Sequence, residues 1–182
     1  CFLIFCSGWL YPLSLSKHPL GLGMKILGID PGSGIIGFGL IETLPKPKLI
    51  DAGVIRTTIG DNDASRLVEL YESMRELVAE LKPDVASVEK LFFAQNVTTA
   101  MTVAQARGVI LLALAEEKIP IYEYTPLQIK MALTGYGRAT KAQIQEMVRV
   151  QLGLKNKPKP DDCADALAAA LTYSANGVNA RI

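Results

Sequence analysis

From Met24 onward the apolar positions form short β-branched runs first and 3.6-residue stripes later, and this change of period lays out the chain. Ile26-Leu27-Gly28-Ile29 is a brief apolar run that stops on Asp30 and breaks at once into Pro31-Gly32-Ser33-Gly34. A run of that length bounded by turn residues suits a strand buried on both faces. Ile36 to Ile41, where glycines alternate with larger apolar residues, reads as a second strand. After Pro45 and Pro47, Leu49 to Thr57 reads as a third. The short separations predict an antiparallel meander.

The period then lengthens. Asn62 or Asp63 offers a cap for a helix whose stripe runs Leu67, Leu70, Met74, Leu77, Leu81. Lys82-Pro83-Asp84 ends it, and Val85 to Val88 makes a fourth strand that stops on Glu89. Asn96 caps a long helix to about Glu117, with Val103, Ala104, Ile110, Leu111 and Leu114 on its apolar side. Gly108 interrupts this helix. A mid-helix glycine costs about 1 kcal/mol against alanine, so its use is close approach by another element, within the fold or from a second subunit. Ile119 to Tyr124 supplies a fifth strand. A short helix around Leu127 to Leu133, the loop Thr134-Gly135-Tyr136-Gly137-Arg138 and a helix from Thr140 to Leu152 follow. Beyond the Lys155 to Pro160 loop, Asp161 or Asp162 opens an alanine-rich helix ending near Asn176-Gly177. The order predicts an α/β fold: a five-stranded mixed sheet, three antiparallel strands and then parallel ones, with helices on both faces.

Composition narrows this to one domain. The chain has 182 residues, 49% hydrophobic and 20% charged, enough for one well-buried core and short for two. The formal net charge of +1 favours no class of partner, but its distribution is uneven. Met24 to Glu123 carries 10 Lys and Arg against 14 Asp and Glu; Tyr124 to Pro160 carries 7 against 1. The later segment is a candidate polyanion face. Cys1, Cys6 and Cys163 show no C-x-x-C spacing, which argues against a disulfide framework or zinc site and fits a reducing, cytoplasmic setting. His18 is the single histidine and lies outside the organised chain, which leaves the core without histidine chemistry.

Residues 1–23 are read apart from the rest. Phe2-Leu3-Ile4-Phe5 and Trp9-Leu10-Tyr11 are apolar, yet no basic residue precedes Lys17 and no stretch approaches the length of a membrane span. They are expected to be a leader outside the fold, with Met24 the natural start and 24–182 the domain; a secretory signal is the alternative.

Four carboxylates carry the candidate chemistry. Asp30 and Glu89 each end a buried strand, although Asp30-Pro31-Gly32 could equally be a plain turn in which the aspartate bonds its own backbone. Asp162 and Asp165 are three apart on a helix and so share a face. Helix-terminus electrostatics covers Asp161 or Asp162 but covers Asp165 poorly, being confined to the first turn. If Asp30 and Glu89 end adjacent strands at one edge and the last helix crosses that edge, four oxygen donors converge. Such donors select Mg²⁺ or Mn²⁺. Two ions about 3.5–4 Å apart can activate a water and stabilise a leaving oxygen in phosphodiester hydrolysis. With the basic segment, the substrate indicated is a nucleic acid.

Four blocks of this chain resemble those of RuvC, the bacterial Holliday junction resolvase family, and recur in the same order. They are Ile26 to Gly32, Val88 to Asn96, Gln105 to Val109 and Asp162 to Ala168. The resemblance runs from Met24 to about Tyr173. It implies a ribonuclease H-like fold, a homodimer, and Mg²⁺-dependent symmetric cleavage of four-way DNA junctions leaving 5′-phosphate and 3′-hydroxyl ends. It also implies a RuvAB-type branch-migration partner. By position, Asp30, Glu89, Asp162 and Asp165 match the family's catalytic carboxylates. Phe92 matches the aromatic that stacks on opened junction bases, and Lys130 and Lys141 match basic residues near the scissile phosphate. Asp161 is extra here, and some relatives carry a histidine where Asp162 stands.

Each assignment has a plainer counterpart. One of the adjacent Phe92 and Phe93 is expected to pack in the core, and Lys130 and Lys141 could be solvated surface lysines. Arg138, Lys155, Lys157 and Lys159 read as a phosphate-contact surface that positions DNA without reading its sequence. Arg107 could serve a dimer contact or merely cover a helix surface. The competing functions are a YqgF-type nuclease acting on RNA or another structured nucleic acid, an actin- or sugar-kinase-like ATP-binding protein, for which the chain lacks a second half, and a module that binds junctions without cutting.

Overall fold

The computed structural model describes residues 23–58, 62–91 and 97–176. Residues 1–22 of the expected leader, together with Phe92, Phe93 and Asn96, lie outside the described residues. The described strands are β1 (Lys25–Asp30), β2 (Ile35–Glu42), β3 (Lys48–Arg56), β4 (Val85–Glu89) and β5 (Ile121–Tyr124); the helices are α1 (Asp63–Leu81), α2 (Val97–Glu116), α3 (Pro126–Thr134), α4 (Lys141–Gln151) and α5 (Asp161–Asn176). They build one sheet in the order β3-β2-β1-β4-β5. The β1–β2 and β2–β3 pairs are antiparallel, and the β1–β4 and β4–β5 pairs are parallel. This is the mixed sheet that the element order predicts.

Side-chain alternation sorts the sheet into two faces. Leu27, Ile29, Ile36, Leu40, Ala86 and Val88 join a core with α1 and α2 residues such as Met74 and Ile110. Ile26, Ile41, Val85, Tyr122 and Tyr124 join a second core with residues of α3, α4 and α5. β1 lies at the centre of both.

α5 is the helix that the second face is built around. It packs on β1, β2 and β4 from one side and meets α3 and α4 on the other, so Cys163, Ala164 and every residue from Ala166 to Tyr173 are buried. Alanine keeps that helix thin. Two sheet glycines let it approach: a Cβ at Gly28 would stand 1.9 Å from the Ala166 carbonyl oxygen, and one at Gly37 would stand 2.1 Å from that of Asp162. No larger residue fits at either position.

Several details differ from the sequence reading. Asn62, not Asp63, caps α1, its side chain accepting from the Ser65 N–H at 2.9 Å. The buried stripe of that helix is Leu70, Met74 and Val78, with Leu67, Leu77 and Leu81 only partly covered. β5 begins at Ile121 because Pro120 has no N–H to give the ladder; its carbonyl accepts from the Ala86 N–H at 2.9 Å. α3 and α4 each open on a capping box, Thr125 with Gln128 and Thr140 with Gln143. Among the described residues, no helix is long and apolar enough to cross a membrane.

Candidate active site

Register places the first two carboxylates. In the parallel β1–β4 pair, Gly28 stands opposite Ser87 and Ile29 opposite Val88. Gly28 faces α5, and so does Ser87, whose buried hydroxyl donates to the Ala169 carbonyl at 2.6 Å. Two residues further on, Asp30 and Glu89 therefore project from the same face at the same edge.

The antiparallel pair brings in the third. Asp30 stands opposite Gly37 on β2, and the backbone of Asp162 sits over Gly37, where an added Cβ would come within 3.1 Å of the Asp162 Cβ. Asp165, one turn along α5, is reached by Lys141 from the first turn of α4, with Nζ 2.9 Å from Oδ2. Asp161 is exposed and pairs more loosely with the same lysine, at 3.6 Å. It is Asp162, not Asp161, whose charge acts on Asp30.

The electrostatics are those of crowded acids. Burial pushes the Asp30 carboxyl up to about 7, with Asp165 and Asp162 adding to the rise and Lys141 opposing it. Glu89 is pushed up to about 8 by burial and then by Asp30 and Asp165; Lys141 and Lys130 oppose the shift. The structure thus brings Asp30, Glu89, Asp162 and Asp165 to one edge with Lys130 and Lys141 beside them. Arg138 is exposed in the turn between α3 and α4. A crevice lined by Ser33, Ile36, Thr57, Arg66 and Gln105 contains none of the four acids.

The donor set consists only of carboxylate oxygens and is short of positive charge, which fits a hard divalent cation. Among the described residues, no three His, Cys, Asp or Glu side chains are already gathered as a ligand set; the Lys141 ammonium occupies Asp165 instead.

Three supports were not anticipated from the sequence. Ser87 ties β4 to α5, and its signal, one serine in an apolar strand, is faint. Arg66 of α1 donates to the Ser33 carbonyl and to the Thr57 hydroxyl, fastening the turn that follows Asp30. Arg107 forms an ion pair with Glu123 of β5, so it braces α2 against the sheet, a role neither sequence alternative named.

A five-stranded mixed sheet with acids at the ends of β1 and β4, crossed by a helix bearing two more, defines a ribonuclease H-like α/β protein with an acidic cluster. Residues 26–173 match the family described as crossover junction endodeoxyribonuclease RuvC. A protein of that name from Petrotoga mobilis is 54% identical over 151 residues, spanning 82% of this chain and 93% of the relative. Another from Chloroflexus aurantiacus is 51% identical over 152 residues, spanning 83% and 93%. The solved structure of T. thermophilus RuvC in complex with Holliday junction substrate is similar with a TM-score of 0.76 at 34% identity, covering 84% of this chain and 94% of that one. The chain belongs to the RuvC family.

Proposed function

We propose that this chain resolves Holliday junctions as a homodimeric, divalent-metal-dependent endonuclease of DNA recombination and repair. The observation that carries the reading is the meeting of Asp30, Glu89, Asp162 and Asp165, distant in sequence, at one sheet edge flanked by Lys130 and Lys141.

Asp30, Glu89, Asp162 and Asp165 would hold the cation, Mg²⁺ in our reading, two per site, with Mn²⁺ the alternative. Bound there, it supplies Lewis-acid stabilisation of the phosphoryl oxygens and a more acidic attacking water. The chain's own residues do the rest. The rigid strand ends of β1 and β4 hold two carboxylates in fixed relation, and α5 sets the other two against them. Lys141 and Lys130 offer positive charge to a phosphate entering the site, while Arg138, Lys155, Lys157 and Lys159 position the backbone of the DNA. Phe92, which follows β4 by three residues, is assigned to the opened bases on the family resemblance.

A second copy is supported by α2. Met101, Gln105, Gly108 and Leu112 recur at helical spacing, all are exposed, and among the described residues a Cβ at Gly108 would meet nothing within 4 Å. Among the described residues, no element uses the glycine for close approach. A two-fold dimer would present two sites to strands of matching polarity. A cytoplasmic setting and a RuvAB-type motor complete the reading.

The test compares a synthetic four-way junction with a linear duplex of the same sequence, using wild type and Asp30→Asn, with and without Mg²⁺. Wild type should cut the junction symmetrically only with the cation. Asp30→Asn should bind but not cut, since removing a carboxylate lessens repulsion from DNA. Undiminished cutting by Asp30→Asn, or equal cutting of linear duplex, overturns the reading.

A further inference from the structure

The turn between α3 and α4 exposes an aromatic ring that none of the roles above employs. Tyr136 is 57% exposed, and on α3 the neighbouring Leu127 and Met131, one turn apart, are 60% and 49% exposed. Gly137 packs onto that pair: a Cβ there would lie 2.6 Å from Leu127 Cδ1 and 3.6 Å from Met131 Sδ. Tyr136 thus precedes in the turn a residue that packs on the exposed Leu127 and Met131, and exposed large apolar side chains grouped in this way mark a contact site.

The turn is firmly built. Gly135 closes α3 in the left-handed conformation, its N–H donating to the Met131 carbonyl at 2.9 Å. Thr134 Oγ1 accepts from the Tyr136 N–H at 3.1 Å and donates to the Lys130 carbonyl at 2.7 Å. The Tyr136 carbonyl accepts from the Ala139 N–H at 3.1 Å. The backbone is held on both sides while the ring stays outside the core.

Its surroundings select the occupant. The turn joins the helix carrying Lys130 to the helix carrying Lys141, both of which act on Glu89, and Lys141 also pairs with Asp165. Arg138 lies two residues from the ring. The segment from Tyr124 to Pro160 carries 7 Lys and Arg against 1 acid. An apolar surface set in positive charge suits a strand of nucleic acid: its phosphates meet the cations, and a base meets the ring. Base–aromatic stacking tolerates any sequence but needs an uncovered base face, and in continuous duplex the neighbouring pairs cover both faces.

We propose that Tyr136, with Leu127 and Met131, is a stacking platform for an unpaired base close to the phosphate that is cut, and that it favours opened branch points over continuous duplex. This rests on the reading of the carboxylate edge as the cutting site.

The test uses full-length protein in EDTA, so that binding is read without cleavage. Four-way junctions carry 2-aminopurine at successive positions around the crossover, and wild type, Tyr136→Phe and Tyr136→Ala are compared. In the wild-type complex the fluorescence at one position should be quenched relative to the Tyr136→Ala complex. Tyr136→Phe should keep that quench and bind within about twofold of wild type. Tyr136→Ala should bind the junction about 5- to 100-fold more weakly, with a smaller loss on linear duplex. Unchanged binding and fluorescence in Tyr136→Ala, equal losses on junction and duplex, or loss in Tyr136→Phe as well would each overturn the platform. Failure of the functional reading would show separately, as wild type that prefers no junction.

Discussion

The Lys141 ammonium lies 2.9 Å from Asp165 Oδ2, so a cation from the first turn of α4 stands against the acidic end of α5. Helix electrostatics does not favour a lysine at that position, since the N-terminal end of a helix repels positive charge and the first turn of α4 holds no acid. The neighbouring carboxylates do favour it, and the bond to Asp165 raises the lysine's pKa. The Lys141 side chain is 54% exposed and that of Asp165 24%, so water screens the lysine's end of the pair and its loss should cost the fold no more than about 1 kcal/mol. Lys141→Met should therefore melt close to wild type yet cut junctions at least about tenfold more slowly, as expected for a lost charge at a reacting group. Melting curves and single-turnover cleavage check this. Cleavage within twofold of wild type would reduce Lys141 to a structural partner of Asp165.

The raised carboxyls give the fold a pH dependence of defined sign. Unfolded carboxyls titrate near 4, whereas Asp30 and Glu89 are pushed up to about 7 and about 8. The native state thus binds more protons than the unfolded chain across that window. Their contribution carries no penalty in acid, turns unfavourable as pH rises from about 4, and levels off above about 8. In EDTA, Asp30→Asn/Glu89→Gln should melt higher than wild type at pH 8, with the gap closing toward pH 4. Because protons compete with the cation, added Mg²⁺ should raise the wild-type Tm more at pH 8 than at pH 5. Calorimetric scans across that range measure both, and a gap that is independent of pH would refute the assignment.

Gly28 tests how closely the site depends on the seat of α5. An added Cβ would lie 1.9 Å from the Ala166 carbonyl oxygen and 2.9 Å from the Ala170 Cβ, and helix backbone cannot yield as a flexible side-chain end can. Gly28→Ala should cost about 1–3 kcal/mol, the range for overpacking, or roughly 2–4 °C in Tm per kcal/mol for a chain of this size. Because α5 carries Asp162 and Asp165, cleavage should fall further than the loss of folded protein explains. A thermal melt paired with a cleavage rate at a temperature well below Tm separates the two effects.

What was legible in the sequence follows from the range of the interactions concerned. β1 and β4 announce themselves locally, as short apolar runs that stop on Asp30 and Glu89. The convergence of the acids could be stated only as a condition, because it depends on register: Ile29 opposite Val88, and Asp30 opposite Gly37. Gly37 and Gly39 were visible as glycines alternating with large residues, but their purpose, space for α5, belongs to a helix more than a hundred residues later. The hydrogen bond of Ser87 and the ion pair of Arg107 are hidden for the same reason. Each acts through a partner distant in the chain, the Ala169 carbonyl and Glu123, that no periodicity reveals. The α1 stripe was shifted because Val78 and Leu77 are both apolar and only packing decides between them.

Gly108 sits on an exposed stripe of α2, between Gln105 and Leu112. In α2 it forgoes about 1 kcal/mol relative to alanine, and among the described residues no atom within 4 Å of an added Cβ explains that loss. The exposed Met101 and Leu112 on the same stripe give a partner something apolar to cover. If a second copy packs there, Gly108→Arg should shift the protein from dimer to monomer in sedimentation velocity while the circular dichroism spectrum stays unchanged. Since each subunit would supply one site, the variant should nick one strand of a junction at a time, and paired cuts should become rare. A Gly108→Arg protein that still sediments as a dimer and cuts in pairs would move the interface elsewhere.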